Sequence, residues 1–136
     1  MDKISLYIKG NWIKTFHPAS ELAGDVKIDH PYVSPCATDY YTEMFYWDTY
    51  FINIGLILDG YTEQARNNID NISKFINALG FMPNANYILD RSQPPFFTRM
   101  VHDYYERTGD KSVIEDYIGT ILKEYDFWQT KRKNAI

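Results

Sequence analysis

The residues best suited to chemistry lie in one eight-residue stretch, Glu43-Met44-Phe45-Tyr46-Trp47-Asp48-Thr49-Tyr50, which holds four aromatic rings and two carboxylates. That mixture suits a sugar. An indole can cover the apolar C–H face of a sugar ring while a carboxylate holds its hydroxyls by charge-assisted hydrogen bonds, and Trp47 beside Asp48 supplies both. The same residues also read as the start of a buried helix, with rings in the core and acids as caps. A second stretch, Asn84-Ala85-Asn86-Tyr87-Ile88-Leu89-Asp90-Arg91-Ser92-Gln93-Pro94-Pro95, is a loop rich in hydrogen-bonding groups just ahead of a helix. Hydrolysis of a glycoside needs two carboxyl groups facing each other across the scissile bond. Glu43 and Asp48 are the tempting pair, but five helical residues turn through about 500° and leave their side chains about 140° apart. Asp90 could approach Asp48 only through the fold.

The elements that must position these groups are helices. Apolar spacing predicts them over residues 4–16, 47–58, 62–79, 94–108 and 110–128, with no sheet of consequence. Ile4, Tyr7, Ile8, Asn11, Trp12 and Thr15 give the first a single face; Pro18 stops it, and residues 19–30 read as a polar connector. Pro31 and Pro35 then hold the chain extended on its way into the aromatic stretch. The second helix is almost continuously apolar, which predicts burial on several sides, and Gly60 ends it. Ala65, Ile69, Ile72, Phe75, Ile76 and Leu79 mark the buried face of the third, and Asn67, Asn68, Asp70 and Asn71 read as its solvated or edge face. Gly80 closes that helix. Pro94-Pro95 open the fourth, with a stripe of Phe96, Phe97, Met100, Val101 and Tyr104. Asp110 caps the fifth, where Val113, Ile114, Tyr117, Ile118, Ile121, Leu122, Tyr125 and Trp128 recur at helical spacing ahead of the basic tail Lys131-Arg132-Lys133. The expected fold class is therefore all-α, built from successive helical hairpins.

Composition bounds the function. The 136 residues, 16.1 kDa, suffice for one domain with a real core and not for two. Lys and Arg number 14 against 18 Asp and Glu, a net charge of −4, so no basic field exists to draw nucleic acid or anionic lipid. A neutral partner fits better. With no long apolar run and no charged-then-apolar leader, the expectation is a soluble, unexported, cytoplasmic chain. The single Cys36 agrees with a reducing compartment. Neither it nor His17, His30 and His102 falls into ligand spacing, so no metal or other cofactor is expected.

Taken in order, the motifs resemble the trehalase family of glycoside hydrolases. Tyr46-Trp47-Asp48-Thr49-Tyr50 is similar to the family's Tyr-Trp-Asp-Ser/Thr-Tyr signature, and Met82-Pro83-Asn84-Ala85-Asn86 to its Ile/Met-Pro-Asn-Gly-Asn turn. Arg91-Ser92-Gln93-Pro94-Pro95-Phe96 repeats a family motif unchanged, and Lys123-Glu124-Tyr125 with Trp128 resembles its Lys-Glu-Tyr-x-x-Trp helix. The resemblance covers residues 31–128 and implies part of an (α/α)₆ toroid, an inner and an outer ring of six helices around a pocket. At five helices the chain is an incomplete barrel, and the rest is expected in a longer polypeptide. The resemblance also implies that Trp47, Asp48, Asn84, Arg91, Ser92 and Gln93 bind the sugar. It places the general acid in a later Gly-Trp-Asp and the general base in a glutamate near the C-terminus, and neither motif occurs here, so no catalytic residue is assigned. One departure concerns Tyr40, which stands nearest a sugar-binding arginine of the family's Pro-Gly-Gly-Arg-Phe and is counted with the substrate-binding residues. Another is the loop after Asn86, about two residues shorter than usual. Both leave room for an α-glucoside other than trehalose.

The leading expectation is thus the N-terminal part of an α,α-trehalase-like inverting glycosidase that carries sugar-binding groups without the acid and base. The alternative is a non-catalytic carbohydrate-binding or interaction module. A third reading is a plain helical scaffold.

Overall fold

The computed structural model describes residues 2–19 and 26–132. Five α-helices carry the fold: α1 (Lys3–Asn11), α2 (Tyr46–Asp59), α3 (Thr62–Leu79), α4 (Phe97–Thr108) and α5 (Ser112–Thr130). The class is all-α. The only sheet among the described residues is a ribbon of β1 (Phe16–His17) and β2 (Tyr32–Val33), antiparallel, pairing Phe16 with Val33 and His17 with Tyr32.

Two hairpins make the core. Gly60, at φ +90°, turns α2 into α3, and Gly109, at φ +71°, turns α4 into α5; a side chain would be strained at either. Such short turns leave each pair antiparallel, and α3 then packs against α2, α4 and α5 alike. Its apolar face explains that central place. Ile69, Ile72, Phe75 and Ile76 are wholly buried, meeting Leu56 from α2, Phe97 and Met100 from α4, and Val113 from α5. An ionic cluster reinforces the α3–α5 contact, where Arg66 donates to the Tyr117 hydroxyl at 3.0 Å, pairs with Asp110 and Asp116, and lies 4.9 Å over the Tyr117 ring.

Several expectations need correction. The first helix stops at Asn11, followed by a 3₁₀ turn over Trp12–Thr15, with Phe16 in β1 instead of helical. Its supposed inner face is not inside: Ile4 and Tyr7 are more than 70% exposed, because α1 is tethered through its end. There the Trp12 indole N–H donates to Asp59 at 2.8 Å, the ring lies against Gly55, and Lys9 pairs with Asp59 at 3.2 Å. α2 is buried on one side only, through Tyr46, Thr49, Asn53 and Leu56, while Phe51 and Leu58 face outward. Leu79, at the last turn of α3, is also exposed. α4 begins at Phe97, not at Pro94, since a residue before proline is driven out of the helical region and Pro94 precedes Pro95. α5 begins two residues late, with Asp110 still serving the cap by accepting from the Ser112 amide at 3.0 Å.

The asparagines of α3 are the largest correction. Asn68 and Asn71 are fully buried, not solvated. The segment before α2 pairs with β1 along one edge only, and α3 supplies partners on the other. Asn68 accepts from the Val33 amide at 3.2 Å and donates to Asn53, while Asn71 both accepts from and donates to the backbone of His30, at 3.2 and 2.9 Å. The segment read as a polar connector is thereby drawn into the core, with Val26 and Ile28 buried. Residues 20–25 of that connector, and Lys133 of the basic tail, lie outside the described residues.

Candidate functional site

The two motif stretches meet at the start of α2. The backbone there is shared: the Tyr46 amide donates to the Asn84 carbonyl at 3.2 Å, and the Asn84 amide donates to the Arg91 carbonyl at 2.8 Å. Asn86 donates its amide to the Met44 carbonyl at 3.1 Å, and Phe45 and Ala85 form an isolated bridge. Gln93 completes the join by accepting the Trp47 amide on Oε1 at 2.7 Å. The first amides of a helix lack partners within it, so a glutamine side chain from the loop acts as the cap that Phe45, at the N-cap position, cannot provide.

Each expected site residue then has a definite place. Trp47 is 44% exposed, with its indole on the surface. Asp48 is half-buried and lines an open cleft of about 210 Å³ with Pro35, Cys36, Tyr41 and Phe45. Asn84 is half-buried and fixed through its backbone. Ser92 is turned to the loop itself, donating to the Met82 carbonyl. Arg91 lies in solvent, its Nε 3.1 Å from Asp90, in an ion pair whose members are 66% and 75% exposed. Exposure of that order leaves the pair weak and the guanidinium easily drawn to another partner. Tyr40 is 78% exposed and is held by its carbonyl, which accepts from the Cys36 thiol. Hydrogen bonds therefore join the segments of Trp47, Asn84, Arg91 and Gln93, while the Tyr40 ring and the Arg91 guanidinium stand out in water. Glu43 lies in the loop ahead of α2, so the helical angle that separated it from Asp48 does not apply.

Below this surface sits a pair that sequence reasoning missed. The hydroxyl of Tyr46 donates to Glu124 of α5 at 2.7 Å and accepts from the amides of Phe96 and Phe97 at 3.0 and 2.8 Å. Both side chains are buried, Tyr46 fully and Glu124 to within 3%. Burial pushes the Glu124 carboxyl up to about 7, against the opposing pull of the Tyr46 hydroxyl and the Met82 amide that it accepts. The Tyr46 hydroxyl is raised well above its ordinary value, by burial first and then by the neighbouring carboxylate. A signal existed: Val113, Tyr117, Thr120 and Glu124 fall four, three and four residues apart, which sets a carboxyl on the buried stripe of α5.

Among the described residues no cluster of His, Cys, Asp and Glu could hold a metal ion, and no helix is long and apolar enough to cross a membrane. Comparison with known proteins supplies the context for the joined motifs. The model of the Trehalase family matches residues 10–136. The periplasmic trehalase of Xanthomonas oryzae pv. oryzae is 38% identical over 105 residues, covering 76% of this chain and 18% of that protein. Trehalases of Dictyostelium discoideum and Oryctolagus cuniculus are 32% and 35% identical, over 95% and 79% of this chain and 23% and 18% of their own lengths. The chain thus spans about a fifth of the curated relatives it matches. With a family model running over nearly its whole length and the aromatic stretch locked to the loop at residues 84–93, the chain belongs to the trehalase family.

Proposed function

We propose that the chain forms the sugar-holding wall of a trehalase-like inverting glycosidase acting on an α-glucoside, trehalose or a relative of it. The observation that carries this reading is the set of hydrogen bonds joining Trp47 to Gln93 and Asn84 to both Tyr46 and Arg91. It holds an indole, a carboxylate, an amide and a guanidinium-bearing loop in one neighbourhood. Trp47 would cover the apolar face of a glucose, with Asp48 accepting from its hydroxyls. Asn84 would offer a donor and an acceptor together, and Arg91, leaving its exposed partner Asp90, would donate its fork. Ser92 and Gln93 would act by fixing the loop, in keeping with the bonds they already make. Tyr40 would close over the ligand from the flank.

In inverting hydrolysis one carboxyl group protonates the glycosidic oxygen as the C–O bond breaks. The other takes a proton from the water that attacks the anomeric carbon from the opposite face. Under this reading both groups come from polypeptide beyond these residues, and this stretch alone hydrolyses nothing at a useful rate. Cytoplasmic residence belongs to the same proposal and is decided by cell fractionation.

The test is hydrolysis of trehalose by the full-length protein, followed by NMR of the freshly released glucose. Trehalose joins two α-anomers, so inversion must yield one β and one α glucose at first. Equal release as α-glucose alone, or full activity after Asp48→Asn and Arg91→Gln, overturns the assignment.

A further inference from the structure

A buried carboxyl, that of Glu124, lies beneath this wall, and nothing in the proposed reaction uses it. A buried carboxyl is costly, and an amide or an apolar side chain of similar size would fill the same space. Its partners suggest why a strong acceptor stands there. The Tyr46 oxygen already accepts from the amides of Phe96 and Phe97, the two residues that open α4 and whose N–H groups have no helical partner. The hydroxyl proton must therefore leave on the other side, into a buried space, and Glu124 receives it at 2.7 Å. The Met82 amide donates to the same carboxyl.

These contacts reach three segments of the wall. Trp47 and Asp48 directly follow Tyr46, Asn84 stands two residues after Met82, and Gln93 three residues before Phe96. We propose that Glu124 is a positioning residue for carbohydrate binding: through the Tyr46 hydroxyl and the Met82 amide it sets Trp47 and Asp48 against Asn84 and Gln93. This rests on the reading of those four residues as the sugar wall. A charged acceptor holds both donors more tightly than a neutral one, so the wall is better set when Glu124 is ionised. The groups meeting the carboxyl are the Tyr46 hydroxyl from α2 and the Met82 amide from the loop, and among the described residues no cation pairs with it. The raised carboxyl brings that proton within reach of neutral pH.

The test uses the full-length protein and a sulfur-linked trehalose analogue that resists hydrolysis, with binding measured by calorimetry between about pH 6 and pH 8. The parent protein should bind more tightly as pH rises through that range. Glu124→Gln and Tyr46→Phe should each weaken binding about tenfold at the upper end, the loss of one charge-assisted bond. Both should flatten the pH profile, and the double variant should be little worse than either, since the two act in series. Asp48→Asn serves as the control on the wall itself. If it leaves binding intact, the reading of the wall is wrong and the role of Glu124 falls with it. If Asp48→Asn abolishes binding while Glu124→Gln and Tyr46→Phe preserve both affinity and pH profile, only the positioning role is overturned. Should Glu124→Gln fail to fold, Tyr46→Phe and the parent profile decide, and a parent profile flat across the range sinks the proposal.

Discussion

A phenol can donate one hydrogen bond and accept two, and Tyr46 uses all three while fully buried. The consequence is a measurable pH dependence of stability. Glu124 gives up its proton at about 7 in the folded chain, against 4.5 for an unperturbed glutamate. Between those values the folded state binds more protons than the unfolded one, so stability falls as pH rises through the window and is level above it. The span is about 3 kcal/mol, at ~1.4 kcal/mol for each pH unit that separates the two values. Urea unfolding at a series of pH values should reveal that slope in the parent chain and its absence in Glu124→Gln. Asp59 has the opposite sign, its carboxyl lowered by the Trp12 indole and by Lys9, and its contribution is lost only at more acid pH. Residue identities drew attention to Trp47 and Asp48 as candidates, and the family motif to Arg91, because an indole, a carboxylate and a guanidinium advertise what they can hold. Neither route by itself revealed the Tyr46–Glu124 pairing, since the two residues stand 78 positions apart.

At the level of elements, the glycines were readable and the asparagines were not. Gly60 and Gly80 each end a helix where expected, because a left-handed residue is a local requirement. By polarity Asn68 and Asn71 look like a solvated face, although Asn68 projects between Ile72 and Phe75 on the helix; the arrival of residues 30–33 against α3 gives both their partners. The helix at residues 4–16 forms as α1 and a 3₁₀ turn, but the expected burial of its face fails for a related reason: Trp12 and Lys9 hold it to α2 at its end and leave Ile4 and Tyr7 exposed. Two predictions follow the same physics. Asn71→Ala removes both bonds to the His30 backbone and leaves buried polar groups unmet, so it should cost about 2–4 kcal/mol in urea unfolding. Asn67→Ala, at a half-buried position on the same helix, should stay within about 0.5 kcal/mol of the parent. Separately, Gly60→Ala forces a Cβ into φ +90° and should cost about 1–2 kcal/mol although it meets no neighbouring atom.

For the molecule as a whole, the outer surface of these five helices carries apolar side chains in stripes. Ile114, Ile118, Leu122 and Tyr125 recur along one side of α5 and are all exposed, as are Phe51 and Leu58 of α2 and Ile4, Leu6 and Tyr7 of α1. Single exposed apolar residues are ordinary, whereas a stripe four residues long on one helix calls for a covering surface. Relatives about four times as long have polypeptide to spare for one. The 136-residue chain produced by itself should therefore self-associate, with a sedimentation coefficient that rises with concentration, and the double change Ile118→Lys and Leu122→Lys should hold it monomeric without altering its helix content. The proposed reading, with acid and base elsewhere, bears on catalysis as well. Asp48 opens on a cleft instead of an enclosed pocket, and losing general acid and base help costs about 10²- to 10⁴-fold for each group. Incubated with trehalose or maltose, the isolated chain should release no glucose above background, even as a monomer. Release at ordinary enzyme rates, abolished by Asp48→Asn, would instead place the acid within these helices and require the wall to be read again as an active site.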